Sequence, residues 1–98
     1  MRSGIKVIPA PNQDVLVLTA DEVVLIMQRV GFSNEQIQKY GWPVCDALAR
    51  SGAVRILVDG QVEAAFAVKG DEVFISSRSR GQHIYNINTG WVNAPMSR

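Results

Sequence analysis

The first half of the chain repeats apolar residues with the period of an α-helix. One apolar stripe is formed by Val23, Ile26, Met27 and Val30. Thr19 and Glu22 stand at the spacing of a capping box, in which the threonine hydroxyl accepts a backbone N–H and the glutamate reaches back to the cap. Gly31 follows the last apolar position and supplies a stop. The pattern predicts a first helix of about three turns.

Two more short helices are predicted before the middle of the chain. Ser33-Asn34-Glu35-Gln36 repeats the capping pattern, and Gly41 ends the helix that it starts, over Asn34–Tyr40. Pro43 suits the first turn of a third helix, where a missing N–H costs nothing, and Gly52 closes that helix.

The second half changes to a period near two, which is the period of a β-strand. Four strands are predicted over residues 54–58, 61–68, 72–77 and 83–88. Asp59-Gly60 between the first two is the signature of a two-residue hairpin. Trp91-Val92 is a candidate last strand, and Val15–Leu18 is a candidate edge strand. The sequence therefore predicts one α+β domain over residues 1–98, with three short N-terminal helices on one face of a four- to five-stranded antiparallel meander. Residues 1–14 and 93–98 are expected to be flexible ends.

The two-residue hairpin also predicts which side chains face the helices. The most apolar alternating set in the second strand is Val62, Ala64, Phe66 and Val68, and we assign it to the helix side. Glu63 then lies on the open face. In the first strand, Val54, Ile56 and Val58 also fall on the open face, where they predict a partner interface unless a bulge shifts the register.

Composition and charge exclude some classes of protein. The chain is 47% hydrophobic and 19% charged, with a net charge of +1, which excludes a disordered chain and a strongly basic nucleic-acid binder. Residues 1–72 carry a net charge of −2, whereas residues 73–98 hold three arginines and no acid. The nearly neutral net charge of the whole chain is therefore compatible with a local phosphate site.

The counts of cysteine and histidine and the length of the apolar runs exclude further classes of protein. Cys45 is the only cysteine, so no intrachain disulfide and no cysteine-based metal site is expected. One histidine and no clustered acids predict no metal and no cofactor. The longest apolar runs, such as Val23–Met27, are five residues long, far short of the roughly 20 residues that cross a bilayer. We expect a soluble protein that acts in the cytoplasm.

Chemistry-bearing side chains concentrate after residue 72. Arg78 and Arg80 suit a phosphate, because guanidinium forks match phosphate oxygens in shape and charge. His83 is a candidate acid or base because histidine is the residue type whose ordinary pKa lies near neutral pH, and Glu63 is a candidate base or a partner that orients His83. Ser77 and Tyr85 are candidate contacts to the nucleotide.

This order of elements, with Glu63, Arg78, Arg80 and His83 on and between successive strands, resembles the small microbial ribonuclease toxins of the barnase, EndoU, colicin and RelE type. The resemblance covers roughly residues 19–92. It implies metal-independent RNA cleavage, with His83 and Glu63 moving protons and the two arginines holding the phosphate. It also implies RNA as substrate, an immunity protein as partner, and a chain that is the terminal fragment of a delivered toxin.

Two alternatives from other classes remain open. A small bacterial or phage inhibitor or adaptor without catalytic activity would bind a target protein through the open sheet face. A winged helix-turn-helix would use two helices joined through Gly41 and read DNA with Pro43–Arg50, although that segment offers few polar side chains.

Overall fold

A computed structural model of the chain describes residues 4–93 and contains two helices and a six-stranded sheet. In chain order the elements are β1 (Ile5–Pro11), α1 (Ala20–Val30), α2 (Asn34–Arg50), β2 (Gly52–Val58), β3 (Gln61–Lys69), β4 (Glu72–Ser77), β5 (Gly81–Asn86) and β6 (Val92–Asn93). The strands lie in the sheet in this same order, and each pairs antiparallel with the next. The predicted α+β class is confirmed, with two helices in place of three and six strands in place of four or five.

Both predicted capping boxes are present. Thr19 and Glu22 exchange hydrogen bonds at the start of α1, and Ser33 and Gln36 do the same at the start of α2. Gly31 ends α1 in a left-handed conformation, as its lack of a Cβ favours. These helix ends are fixed by contacts within four residues of sequence, and the sequence predicts them correctly.

The predicted break at Gly41 is wrong, because α2 runs through both Gly41 and Pro43. Pro43 lacks the N–H that would reach the carbonyl of Lys39. Lys39 and Pro43 are both exposed, so water can satisfy that carbonyl. The winged-helix interpretation requires two helices joined at Gly41, and α2 does not provide that joint.

β1 lies where a flexible end was expected, and Val15–Leu18 is not a strand. The Asp59 N–H donates to the Gly4 carbonyl, so alternate residues of β1 turn their backbone groups away from β2. Pro9 and Pro11 occupy two of those outward positions, where no ladder hydrogen bond is lost. The prolines thus permit an edge strand. Asn93 of β6 pairs with Ile84, and Asn12 and Asp14 are hydrogen-bonded to the sheet, so these residues are not flexible ends either. Residues 1–3 and 94–98 lie outside the described residues.

The hydrophobic core lies between the helices and one face of the sheet. Its largest fully buried side chains are Met27, Leu48, Ile56, Ile75, Val44, Val54 and Val73. Phe32, just after α1, stacks on Phe66 of β3 with ring centroids 6.2 Å apart. Within residues 4–93, neither helix has both the length and the apolar character needed to span a membrane.

A bulge in β3 decides which residues belong to this core. The Asp59-Gly60 turn has positive φ at both residues and joins Val58 directly to Gln61, as predicted. The register then shifts by one, so that Leu57 pairs with Val62 but Ile56 pairs with Ala64, and Glu63 is left unpaired.

The bulge overturns the predicted face of β2. Val54 and Ile56 are 1% and 0% exposed in the core, on the same face as Ala64, Phe66 and Val68. Val58 lies at the partly buried end of that helix-side row. The partner interface predicted at Val54, Ile56 and Val58 is therefore wrong. Val62, which is predicted on the helix side, lies instead on the open face beside Leu57.

Candidate functional site

The two arginines of the predicted phosphate site lie in the turn between β4 and β5 and have different surroundings. Arg80 reaches the junction of the helices, where its Nε donates to the Gly31 carbonyl at 2.6 Å and its Nη2 to Gln36 Oε1 at 3.3 Å. Its guanidinium lies 5.1 Å from the centre of the Phe32 ring. Arg78 is exposed and donates to the Gln61 side chain. Arg80 therefore ties the turn to the helices, and only Arg78 is free to face solvent.

Glu63 occupies the bulge and serves the same turn. Its carbonyl accepts the Arg78 N–H at 2.8 Å, and its carboxylate accepts the Ser79 hydroxyl at 3.4 Å. Burial, followed by the charge of Glu63, raises the pKa of Tyr40 on α2. Glu63 is therefore within electrostatic reach of Tyr40, and the bulge removes it from the regular alternation that predicts its face.

His83, Ser77 and Tyr85 lie on the helix side of the sheet. His83 pairs with Ile75, which faces the core, and its Nδ1 is buried without a hydrogen-bond partner. Ser77 is buried, and its hydroxyl accepts the Arg80 N–H at 3.2 Å. Tyr85 is 4% exposed, and burial raises its pKa. Neither Ser77 nor Tyr85 presents a surface that a nucleotide can reach.

The strand register also separates the two proposed proton-transfer residues. His83 pairs with Ile75, and Ile75 pairs with Phe66, so two strand spacings, about 10 Å, separate β5 from β3. Glu63 lies three residues further along β3, about another 10 Å. Neither of the two clefts described below includes Glu63, Arg78 or Arg80. The ribonuclease hypothesis stays a prediction, and these positions do not bring its residues together.

The opposite face of the sheet carries a different arrangement. A cleft of about 430 Å³ crosses β3, β4 and β5 there. The side chains that alternation places on this face are Ala65, Ala67, Phe74, Ser76, Gln82 and Ile84, and we call this the open-face cleft. The alanines and the serine form its floor, and the larger residues form its walls. Phe74 is 39% exposed, although it stands in the middle of the sheet.

Small and apolar residues continue across the sheet beside the cleft. In one cross-strand row, Ala10 of β1 and Ala53 of β2 lead to Ala67 and Phe74. An antiparallel sheet with one solvated face normally alternates apolar and polar residues along each strand. In β3, however, the residues Ala65, Phe66, Ala67 and Val68 are apolar on both faces.

Sequence reasoning missed this cleft, although a signal was available. The run from Ala64 to Val68 holds no polar residue, which indicates a strand covered on both faces. The alternation predicts only that one face of this strand packs on the helices, and the predicted partner interface lies on β2. The exposed Phe74 was not singled out because one aromatic residue in a strand is ordinary.

Basic residues outnumber acidic ones on the open face near the cleft, because Lys69 lies opposite the acid Glu72 and two further cations stand on β1 and β2. Arg55 pairs with Ala65 and therefore stands at the β2 border of the cleft, and Lys6 shares the face one strand further out. Within residues 4–93 the only ion pairs are Lys39 with Glu35 and Arg50 with Asp46, both on α2. Arg55 and Lys6 thus have no acidic partner among the described residues.

A second, smaller cleft lies on the outer side of the helices. It has a volume of about 270 Å³ and is lined by Ala20, Val24, Ile37, Gln38, Gly41 and Trp42. Trp42 is 70% exposed at its edge. No cluster of three or more His, Cys, Asp or Glu side chains suited to a metal ion occurs in the described part of the chain.

Comparison with known proteins finds no matching family model, no matching curated protein and no matching solved structure.

Proposed function

We propose that this protein is a non-catalytic interaction module that binds another protein through the open face of its sheet. The observation that carries the proposal is the open-face cleft, an apolar depression on a sheet face that in a solitary domain would be polar. Its floor of alanines allows a partner to approach the backbone closely, and Phe74 offers an aromatic anchor of the kind that dominates binding energies.

The positions of the polar candidates favour this proposal over RNA cleavage. Arg80 is held by the end of α1, and Tyr85 and Ser77 are buried, so three of the six predicted nuclease residues serve the fold. A ribonuclease needs a base, an acid and cations around one phosphate. An interaction surface needs only a complementary shape and charge, which the open face supplies without rearrangement.

The proposal is tested by photo-crosslinking in the organism that makes the protein. A benzophenone amino acid is placed at Ser76 in the open-face cleft, and in a second variant at Gln38 in the cleft beside Trp42. We expect the Ser76 probe to form a discrete crosslinked product that an added Ala67→Arg substitution removes. Products from Gln38 alone would move the binding surface to the helices, and no product from either position would overturn the proposal.

The ribonuclease alternative is tested with the same protein preparations. Purified protein is incubated with total RNA in EDTA beside a His83→Ala variant. We expect the RNA to stay intact in both samples. Cleavage by the unchanged protein that is lost in the His83→Ala variant would support the ribonuclease instead.

A further inference from the structure

The open-face cleft has the width of one α-helix. Its floor residues Ala65 and Ala67 stand on β3, between Arg55 of β2 and Phe74 of β4. β2 and β4 are two strand spacings or about 10 Å apart, which matches the diameter of a helix with its side chains. The pairing of β3 with β4 runs over six residues, from Ala64 to Lys69, or about 20 Å. A helix of about 13 residues lying along the strands would span that length.

The floor of the cleft suits a helix better than a second sheet. Ala65, Ala67 and Ser76 leave a depression, and Phe74 rises beside it. A packed sheet requires an apolar face across several strands, whereas Lys6 and Arg55 interrupt the face on β1 and β2. One helix can occupy the apolar part and leave these two cations at its side.

The cations define the charge of the occupant. Arg55 borders the cleft directly, because its pairing partner Ala65 forms part of the floor. Neither Arg55 nor Lys6 has an acid within 4 Å in residues 4–93. The open face of a second copy carries Lys6, Arg55 and Lys69 along with Glu72, so two such faces would both be basic, which disfavours their association.

Resting on the proposed function, we infer that the open-face cleft binds an amphipathic α-helix of a partner protein, with small and medium apolar residues on its buried stripe and acidic residues on the side that faces Arg55. The stripe packs on Ala65 and Ala67 and against Phe74. Carboxylates spaced three or four residues apart along the helix lie on the Arg55 side. Recognition thus follows the helix-in-groove mode.

The test is a selection from a displayed library of helical peptides, each about 16 residues long and therefore long enough to cover the cleft. The library is selected in parallel against the unchanged protein, an Arg55→Glu variant, and an Arg50→Glu control on the outer side of α2. We expect peptides with an apolar stripe flanked by Asp or Glu from the unchanged protein and from the control. From Arg55→Glu we expect Lys or Arg at the same flanking positions.

Binding of the recovered peptides is then measured with an Ala67→Arg variant, whose long side chain fills the cleft. We expect at least a tenfold weaker Kd. Circular dichroism of each variant shows that its fold is kept.

Failure of the inference differs from failure of the proposed function. Peptides that lose binding to Ala67→Arg but show no acidic flank, or no change of flank with Arg55→Glu, overturn the acidic helix and leave the open face as a binding surface. Peptides that bind Ala67→Arg unchanged overturn both. A concentration-dependent dimer of the unchanged protein, absent from Ala67→Arg in sedimentation, identifies a second copy as the occupant and overturns the inferred partner.

Discussion

The Nε of Arg80 donates to the carbonyl oxygen of Gly31 at 2.6 Å, and this bond joins the β4–β5 turn to the C-terminal end of α1. The last carbonyls of a helix lack partners within the helix, and a cation there also interacts favourably with the helix dipole. The guanidinium rests near the Phe32 ring, which in turn stacks on Phe66. An arginine that the sequence suggests for phosphate binding therefore closes a helix end over the core.

Arg80→Ala should lower the free energy of unfolding by about 1–2 kcal/mol, because it removes charge-assisted hydrogen bonds at a partly exposed site. Urea denaturation measures the change. Arg78→Ala is the matched control from the same turn, and its exposed side chain should contribute less than about 0.5 kcal/mol. Equal losses in the two variants would show that the contact with Gly31 does not stabilise the fold.

Deletion of Glu63 should leave the domain folded, because Glu63 is the one extra residue of the β3 bulge. Without it, Leu57 still pairs with Val62 and Ile56 with Ala64, so every other side chain keeps its face. We expect a loss of less than about 2 kcal/mol, from the contacts with Arg78 and Ser79.

The control for this deletion is removal of Ala65, which lies in the regular part of β3. Without Ala65 the strand can keep its other pairings only if Glu63 takes the buried place of Ala64 opposite Ile56, so we expect a much larger loss of stability than from deletion of Glu63. If both deletions unfold the protein, the bulge is not the point at which β3 absorbs an extra residue.

The parts of the fold that local chemistry determines are predictable from the sequence. The capping boxes at Thr19 and Ser33 and the Asp59-Gly60 turn depend on residues within four positions of each other. β1 and the bulge at Glu63 depend instead on pairings with distant strands, which periodicity does not reveal. The bulge alone reverses the expected face of Val54 and Ile56.

The candidate site shows the same division. Residue type correctly marks Arg80 as a group that binds oxygen, but its partner is the Gly31 carbonyl, 49 residues away in sequence. Likewise, the spacing of Ala65 and Ala67 shows that they share one face of a strand. Only the register places them beside Arg55 on one side and Phe74 on the other.

Gly52→Ala should destabilise the protein by about 3 kcal/mol or more, because two separate costs combine there. Gly52 has φ +82°, and an added Cβ would come within 1.7 Å of the Asp14 carbonyl oxygen. That backbone cannot easily move away. Asn12 donates to the carbonyls of Gly52 and Val68, and Asp14 accepts the Gly70 N–H at 2.8 Å, so the segment after β1 is held against the sheet.

Gly70→Ala is the control that separates these costs. Gly70 has φ +60°, and an added Cβ meets nothing within 4 Å. We expect a loss of about 1–2 kcal/mol from the left-handed conformation alone. Thermal or urea unfolding of both variants measures the difference, and equal losses would mean that the Asp14 segment yields to the extra methyl group.

Stability should decline at alkaline pH through Tyr40 and Tyr85. Burial raises the pKa of each above its ordinary value of 10.0, with smaller contributions from Glu63 at Tyr40 and from Glu22 at Tyr85. The unfolded chain therefore loses these protons at about pH 10, whereas the folded protein still holds them. Their stabilising contribution is complete below that pH and is lost as the pH rises toward the folded-state pKa. Each tyrosine adds at most about 1.4 kcal/mol per pH unit to the decline.

Urea denaturation at about pH 9 and pH 11 should show a shallower decline for the Tyr40→Phe/Tyr85→Phe double variant than for the unchanged protein. The ultraviolet absorbance of tyrosinate reports ionisation directly, and an equal decline in both proteins would assign the alkaline loss to other groups.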